Sequence, residues 1–100
     1  MRYAKIKIQG MQIFYREDGD KDKPPFVLFH GFPSSSHMFR NLIPLLKNNF
    51  HVIAMDYPGF GQSDIPAREK FIYTFDNIAE VVDEFLKILG VEKFYMYVFD

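Results

Sequence analysis

The sequence predicts an α/β fold in which an antiparallel edge hairpin is followed by a parallel β-α-β-α-β arrangement. Short apolar runs suited to strands alternate with two segments whose apolar residues recur at helical spacing. Strands that alternate with helices are typical of parallel pairing through right-handed crossovers. Loops rich in glycine, proline and serine follow two of the predicted strands, and such loops are where sheets of this kind bind ligands.

The composition is that of one small globular domain. The chain has 100 residues, of which 48% are hydrophobic, and this favours a packed core. A net charge of −1 provides no basic surface for nucleic acid or for an anionic membrane. No apolar run approaches the roughly 18–20 residues that a membrane-spanning helix needs. The absence of cysteine excludes disulfides and thiolate metal sites and fits a reducing compartment. We therefore expect a cytoplasmic protein with no nucleic-acid or membrane partner.

The first strands predict a hairpin. Residues 3–9 alternate between apolar and polar side chains, and residues 12–16 follow the break at Gly10. The two segments predict a half-exposed antiparallel pair at a sheet edge. The charged run from Glu17 to Pro25 predicts a solvated turn, in which the charges do no more than keep the loop in water.

Three apolar runs, at residues 26–29, 50–55 and 94–99, predict the parallel strands. The last run is apolar on both faces, which is typical of a strand in the interior of a parallel sheet. Asp100 follows it directly, so no later residue of this sequence would cover or flank that strand. We therefore interpret residues 1–100 as the N-terminal portion of one larger domain.

The first helical segment follows the strand at residues 26–29. Its apolar residues recur at helical spacing over residues 38–46, and Ser35 or Ser36 can cap its start. Pro44 lies inside this pattern. Because its ring would clash with the carbonyl of Arg40, we expect the helix to be bent or shortened.

The second helical segment carries signals at both ends. Thr74 is a suitable N-cap, and Asp76 places a negative charge in the first turn, where it suits the helix dipole. Apolar residues recur at helical spacing over residues 78–89. Gly90 is placed to end the helix in the left-handed conformation.

Three features are expected at one edge of the sheet, because each follows the carboxyl end of a parallel strand. They are the loop from His30 to Ser36, the loop from Asp56 to Asp64, and Asp100. Neither loop is a nucleotide-binding motif. The second lacks the third glycine of a dinucleotide turn, and Gly31 does not begin a P-loop.

Two motifs at this edge, His-Gly-Phe-Pro at 30–33 and Asp-Tyr-Pro-Gly-Phe-Gly-Gln-Ser at 56–63, together resemble the α/β-hydrolase fold family. The resemblance covers nearly the whole chain. It implies that the last strand ends in the nucleophile elbow, a strained strand-to-helix turn that carries the attacking residue. Asp100 has that position, and no serine or cysteine stands there. The chain is thus similar to the branch with an aspartate nucleophile, which includes epoxide hydrolases and haloalkane dehalogenases.

The resemblance implies a covalent route that needs no metal or organic cofactor. The Asp100 carboxylate would displace a leaving group at a saturated carbon of a small apolar substrate and form an ester. The Phe32 backbone N–H would be one donor of the oxyanion hole, and Phe32 and Pro33 would contact the substrate. The catalytic histidine and its acidic partner would lie in later residues, so these 100 residues alone should be inactive.

The resemblance leaves alternatives open within and beyond this branch. Haloalkane dehalogenases commonly have asparagine where this chain has Phe32, whose side chain cannot donate a hydrogen bond. That difference favours a site like that of an epoxide hydrolase, although some haloacid dehalogenases also resemble the His-Gly-Phe-Pro motif. A serine-type hydrolase resembling an esterase and a non-catalytic binding protein of the same fold are the other two hypotheses.

The remaining polar residues at this edge have structural interpretations. His30 is expected to shape its loop, and Asp56 and Ser63 to brace theirs. The run Ser34–Ser36 predicts a turn and a helix cap. Neither of the other two histidines is expected to act as a catalytic base.

Overall fold

The structure is a computed structural model that describes residues 1–31, 34–66 and 71–99. Its elements, in chain order, are β1 (Arg2–Ile8), β2 (Met11–Asp18), β3 (Pro25–Phe29), a short 3-10 helix (Ser36–Phe39), α1 (Leu42–Leu46), β4 (His51–Met55), α2 (Phe75–Ile88) and β5 (Tyr95–Val98). The strands form one sheet in the order β1-β2-β4-β3-β5. The β1–β2 and β2–β4 pairs are antiparallel, and β3 lies parallel to both β4 and β5. The predicted fold class is confirmed.

The hairpin between β1 and β2 turns at Gln9 and Gly10, whose φ angles are 52° and 79°. Left-handed backbone at both central residues is typical of the two-residue turn that matches the twist of a hairpin. β1 is mostly exposed, whereas β2 is buried along most of its length. The expectation of a half-exposed pair is therefore wrong for β2. Its second edge pairs with β4, which places it inside the sheet.

The predicted solvated turn also begins later than expected, because β2 continues through Glu17 and Asp18. Both side chains are buried. The Glu17 carboxylate contacts the ring Nε2 of His51 and lies 3.4 Å from the Nε of Arg2. The expectation that these charges only solvate a loop is wrong for Glu17 and Asp18.

The first helical segment is interrupted, as the position of Pro44 predicts. The Ser35 hydroxyl accepts a hydrogen bond from the His37 N–H at 3.2 Å and caps the 3-10 helix, which ends at Phe39. The α-helix α1 begins only at Leu42. A continuous helix would bring the ring of Pro44 against the carbonyl four residues earlier, and the break avoids that clash.

The bounds and caps of α2 agree with the sequence signals. The Thr74 hydroxyl accepts a hydrogen bond from the Asn77 N–H at 3.1 Å. Gly90 has a φ of 76°, and the Val91 N–H then donates to the Leu86 carbonyl at 2.9 Å. This left-handed ending satisfies a carbonyl at the helix end and turns the chain toward β5.

The core consists of two clusters on opposite faces of the sheet. The larger cluster packs the α2 side chains Val81 and Phe85 against one face, and the smaller one packs the 3-10 helix and α1 against the other. β5 lies at the sheet edge, and its side chains are 46–63% exposed. Its sequence is typical of an interior strand, but β3 is the only strand that pairs with it among the described residues.

Candidate functional site

The two loops predicted to meet at the carboxyl edge of the sheet do so through His30. This residue follows β3 and is only 2% exposed. Its Nε2 lies 3.1 Å from the Tyr57 backbone nitrogen, and its Nδ1 lies 2.9 Å from the Gly31 carbonyl oxygen. Because a backbone N–H can only donate, Nε2 is the acceptor, and the ring proton lies on Nδ1, which donates to Gly31.

Burial lowers the pKa of His30, although the Gly31 hydrogen bond and the nearby Asp56 charge act in the opposite direction. A neutral ring fits its two hydrogen bonds, since an imidazolium could not accept from the Tyr57 amide. Both ring nitrogens are engaged. The interpretation of His30 as a loop-shaping residue is therefore confirmed.

Asp56 holds the same loops together at a second point. Its carboxylate is 1% exposed and accepts from the Ser36 amide at 2.6 Å and from the Gln62 amide at 2.9 Å. Ser63 adds a link to β2, because its hydroxyl donates to the Asp56 carbonyl at 2.7 Å and accepts from the Phe14 amide at 2.8 Å. The prediction that Asp56 and Ser63 brace their loop is confirmed.

The three consecutive serines have the local roles that the sequence indicates. Ser35 caps the 3-10 helix, and the Ser36 hydroxyl, which is fully buried, accepts from the Arg16 Nε at 3.0 Å. The Ser34 hydroxyl lies 3.5 Å from the sulfur of Met38. None of these hydroxyls contacts a histidine ring within the described part of the chain, so the structure offers no activated serine there.

The end of β5 lies beside the end of β3. The Phe99 N–H donates to the Phe29 carbonyl at 3.0 Å, one residue before His30. The predicted site residues Phe32, Pro33 and Asp100 lie outside the described residues. The structure does bring together the described residues just before Phe32 and just before Asp100, because the ends of β3 and β5 are hydrogen-bonded to each other.

A cavity of about 660 Å³ opens at this edge, between the ends of β3 and β5, the loop after β4, and α2. Its described lining is almost wholly apolar and includes Phe29, Phe60, Ile78 and Val82. The aromatic residues Tyr57 and Phe60 in this wall were not among the predicted site residues. The available signal was the presence of two aromatic side chains in a glycine-rich loop at the end of a core strand.

The rest of the described chain adds no ion-binding cluster to this edge. Among residues 1–31, 34–66 and 71–99, no group of three or more histidine, aspartate or glutamate side chains is arranged to hold a metal ion. None of the described helices has the length and apolar character needed to cross a membrane.

The chain shows clear similarity to known proteins over most of its length. Residues 24–100 match the family model described as alpha/beta hydrolase fold. An uncharacterized hydrolase of Saccharomyces cerevisiae is 50% identical over 100 residues, which cover 99% of this chain and 34% of the yeast protein. Epoxide hydrolase 4 of Mus musculus is 33% identical over 91 residues, covering 91% of this chain and 25% of the mouse protein.

The backbone is similar to solved structures as well. A loop variant of a haloalkane dehalogenase from Bradyrhizobium elkanii superposes with a TM-score of 0.92 at 33% identity, covering 99% of this chain and 32% of that one. The chain thus spans about a third or less of the length of these proteins.

Proposed function

Because the chain belongs to the α/β-hydrolase fold family, we propose that the whole protein is a hydrolase that attacks epoxides with the carboxylate of Asp100. The observation that carries this proposal is the hydrogen bond from the Phe99 amide to the Phe29 carbonyl at 3.0 Å. It brings the end of β5, and hence the position before Asp100 in the chain, beside the loop that begins at His30.

The surroundings suit a small apolar substrate. The cavity beside the ends of β3 and β5 has a volume of about 660 Å³, within the range of small-molecule sites. A carboxylate at the edge of an apolar cavity is poorly solvated and therefore more reactive toward carbon. Similarity to epoxide hydrolase 4, at 33% identity, supports the same reaction class.

The proposed reaction has two chemical steps. A carboxylate oxygen of Asp100 bonds to an epoxide carbon as the ring C–O bond breaks, and the released alkoxide takes up a proton from solvent. Water then adds to the carbonyl of the resulting ester; the diol leaves with the ester oxygen and one proton of that water, and the other proton returns to solvent. The Phe32 N–H would stabilise the oxyanion of this second step.

The base that activates this water would come from later residues of the whole protein. His30 does not suit that role, since its Nε2 accepts from Tyr57 and its Nδ1 donates to Gly31. Its contribution is to fix the loop that precedes Phe32.

A single turnover of styrene oxide by the whole protein in oxygen-18 water tests the covalent route. We expect one labelled oxygen in the Asp100 carboxylate and unlabelled oxygen in the first diol, as read by peptide mass spectrometry. Label found only in the diol would show direct attack by water. The Asp100→Asn variant should lack turnover, whereas Asp83→Asn, on the exposed face of α2, should retain it.

Hydrolysis of haloalkanes is a second candidate, supported by the TM-score of 0.92 to a haloalkane dehalogenase. The phenylalanine at position 32 argues against it, because its side chain offers no hydrogen bond to a departing halide. Bromide release from 1-bromobutane that exceeds the rate of diol formation from styrene oxide would favour this candidate over epoxide hydrolysis.

A further inference from the structure

The cavity at the carboxyl edge contains very few groups that can hydrogen-bond through a side chain. Among its described lining residues, only His30 and Tyr57 have polar side-chain atoms. Both ring nitrogens of His30 are already engaged, with Gly31 and with the Tyr57 backbone. The phenol of Tyr57 is therefore the side-chain group that this wall leaves available to a ligand.

The ring of Tyr57 is held firmly at its base. The backbone N–H of Tyr57 donates to His30, and the two rings pack with centroids 4.1 Å apart. Phe60 packs edge-on against Tyr57 with centroids 6.3 Å apart. Such contacts fix the position of the ring before any ligand arrives, which lowers the entropic penalty of using its polar end.

The hydroxyl of Tyr57 has no hydrogen-bond partner among residues 1–31, 34–66 and 71–99. By contrast, the hydroxyl of Tyr73 donates to the Pro66 carbonyl at 2.6 Å. Fully buried side-chain oxygens in the described part of the chain all have a partner, so the Tyr57 hydroxyl is one that solvent reaches and that can exchange water for a ligand. A half-buried phenol without a partner in an apolar wall is a suitable hydrogen-bonding point for a bound molecule.

We propose that Tyr57 determines specificity in this cavity by hydrogen bonding to a single oxygen of an otherwise apolar ligand. The inference rests on the proposed function in treating this cavity as the substrate site, and it narrows the substrate class to small apolar molecules with one such oxygen. An epoxide or an alcohol satisfies the phenol, whereas a hydrocarbon leaves it without a partner.

The phenol remains a donor over the whole physiological range, since burial raises the pKa of Tyr57 to about 12. No proton needs to leave the ring for this role. Tyr57 would act by orienting the ligand oxygen, and the covalent chemistry would remain with Asp100.

Binding of two matched probes to the whole protein tests the proposal. Benzyl alcohol and toluene share a ring and differ by one hydroxyl, and neither can be hydrolysed. We expect the Tyr57→Phe variant to bind benzyl alcohol roughly three- to tenfold more weakly than the wild type, and to bind toluene within about twofold. The Tyr73→Phe variant removes a phenol whose partner is Pro66 and should change neither affinity.

Equal affinities of wild type and Tyr57→Phe for benzyl alcohol would overturn the proposal, as would an equal loss for both probes. In the wild type, NMR should also show cross-relaxation between the methylene protons of bound benzyl alcohol and the Tyr57 ring. Its absence would overturn the proposal even if the variant failed to fold. Because neither probe reacts, this result is independent of the oxygen-18 experiment, so failure of one can be distinguished from failure of the other.

Discussion

The Asp56 carboxylate accepts a hydrogen bond from the Ser36 amide at 2.6 Å, and this contact joins two loops that follow different strands of the sheet. The second carboxylate oxygen accepts from the Gln62 amide at 2.9 Å. Asp56 is 1% exposed; its contact with the Ser36 amide is buried, and its contact with the Gln62 amide is partly buried. Buried backbone donors that lose an acceptor are left unsatisfied, which makes this carboxylate important for the arrangement of the site.

The Asp56→Asn variant should therefore destabilise the fold. Its amide group retains one acceptor oxygen, so one of the amides of Ser36 and Gln62 would face an NH2 donor. We expect the free energy of unfolding of the whole protein to fall by about 2 kcal/mol in urea denaturation. The Asp83→Asn control removes an exposed ion pair with Lys87 and should change it by no more than about 0.5 kcal/mol. An equal effect of the two substitutions would show that the carboxylate does not brace the loops.

Gly61 is where the loop approaches this carboxylate too closely for a side chain. A Cβ at Gly61 would clash with the Asp56 carboxylate and lie 2.8 Å from the Ser35 Cβ. Gly10 has a left-handed φ of 79°, compared with 54° at Gly61, but a Cβ there would have no atom within 4 Å. Alanine substitutions at these two positions therefore separate the cost of a left-handed backbone, which both share, from the cost of a steric clash, which only Gly61 has.

We expect Gly10→Ala to destabilise the whole protein by about 1 kcal/mol, the strain of a left-handed alanine. Gly61→Ala should cost at least about 1–2 kcal/mol more, because the loop must shift away from Asp56. Thermal unfolding of both variants measures the difference. Similar midpoint temperatures for the two variants would mean that the loop accommodates the methyl group, which would contradict the close approach of Gly61 to Asp56.

The sequence was sufficient for the element order and for the helix caps, because these depend largely on local rules. The proline at position 44 interrupts any continuous helix, and the Thr74 and Gly90 caps depend on near neighbours. The roles of Asp56 and Ser63 followed from a motif with fixed spacing. The caps and the interruption at Pro44 need little knowledge of which strands become neighbours, whereas the partners of Asp56 and Ser63, the Ser36 and Phe14 amides, are set by the tertiary structure.

The burial of Glu17 could not be predicted in the same way. It depends on β2 pairing antiparallel with β4, which is a contact between segments distant in the sequence. That pairing extends β2 into a charged run and brings Glu17 against His51. The wall role of Tyr57 likewise depends on the packing of α2 and the ends of β3 and β5 around one cavity.

The buried state of His30 should be visible in the pH dependence of stability. Its pKa lies below the ordinary 6.5 in the folded protein, so the unfolded chain binds the proton more readily. The free energy of unfolding should therefore fall as the pH drops through 6.5 toward the folded pKa. The His30→Gln variant should lack this part of the slope in urea denaturation between about pH 8 and pH 5, roughly the range over which histidine titrates.

The His37→Gln control retains His30 and should retain this part of the slope. His37 is exposed, and its substitution leaves the contacts of His30 with Gly31 and Tyr57 in place. An unchanged slope in the His30→Gln variant would show that the ring can be protonated in the folded protein.

Glu17 should produce a second pH dependence of stability, with a distinct origin. It lies near the amino end of β4, whereas His30 lies at the carboxyl ends of the parallel strands. Burial alone would raise the pKa of Glu17, but the hydrogen bond and charge of His51, together with Arg2 and Lys21, lower it below the ordinary 4.5. A lowered carboxyl pKa contributes stability that is present above pH 4.5 and is lost as the pH falls through the folded pKa.

The Glu17→Gln variant should destabilise the whole protein by about 2 kcal/mol at neutral pH, and the difference from wild type should shrink in acid. The exposed Glu92→Gln variant should follow the wild-type curve, and a Glu17→Gln difference that stayed constant with pH would contradict the ion pair with His51.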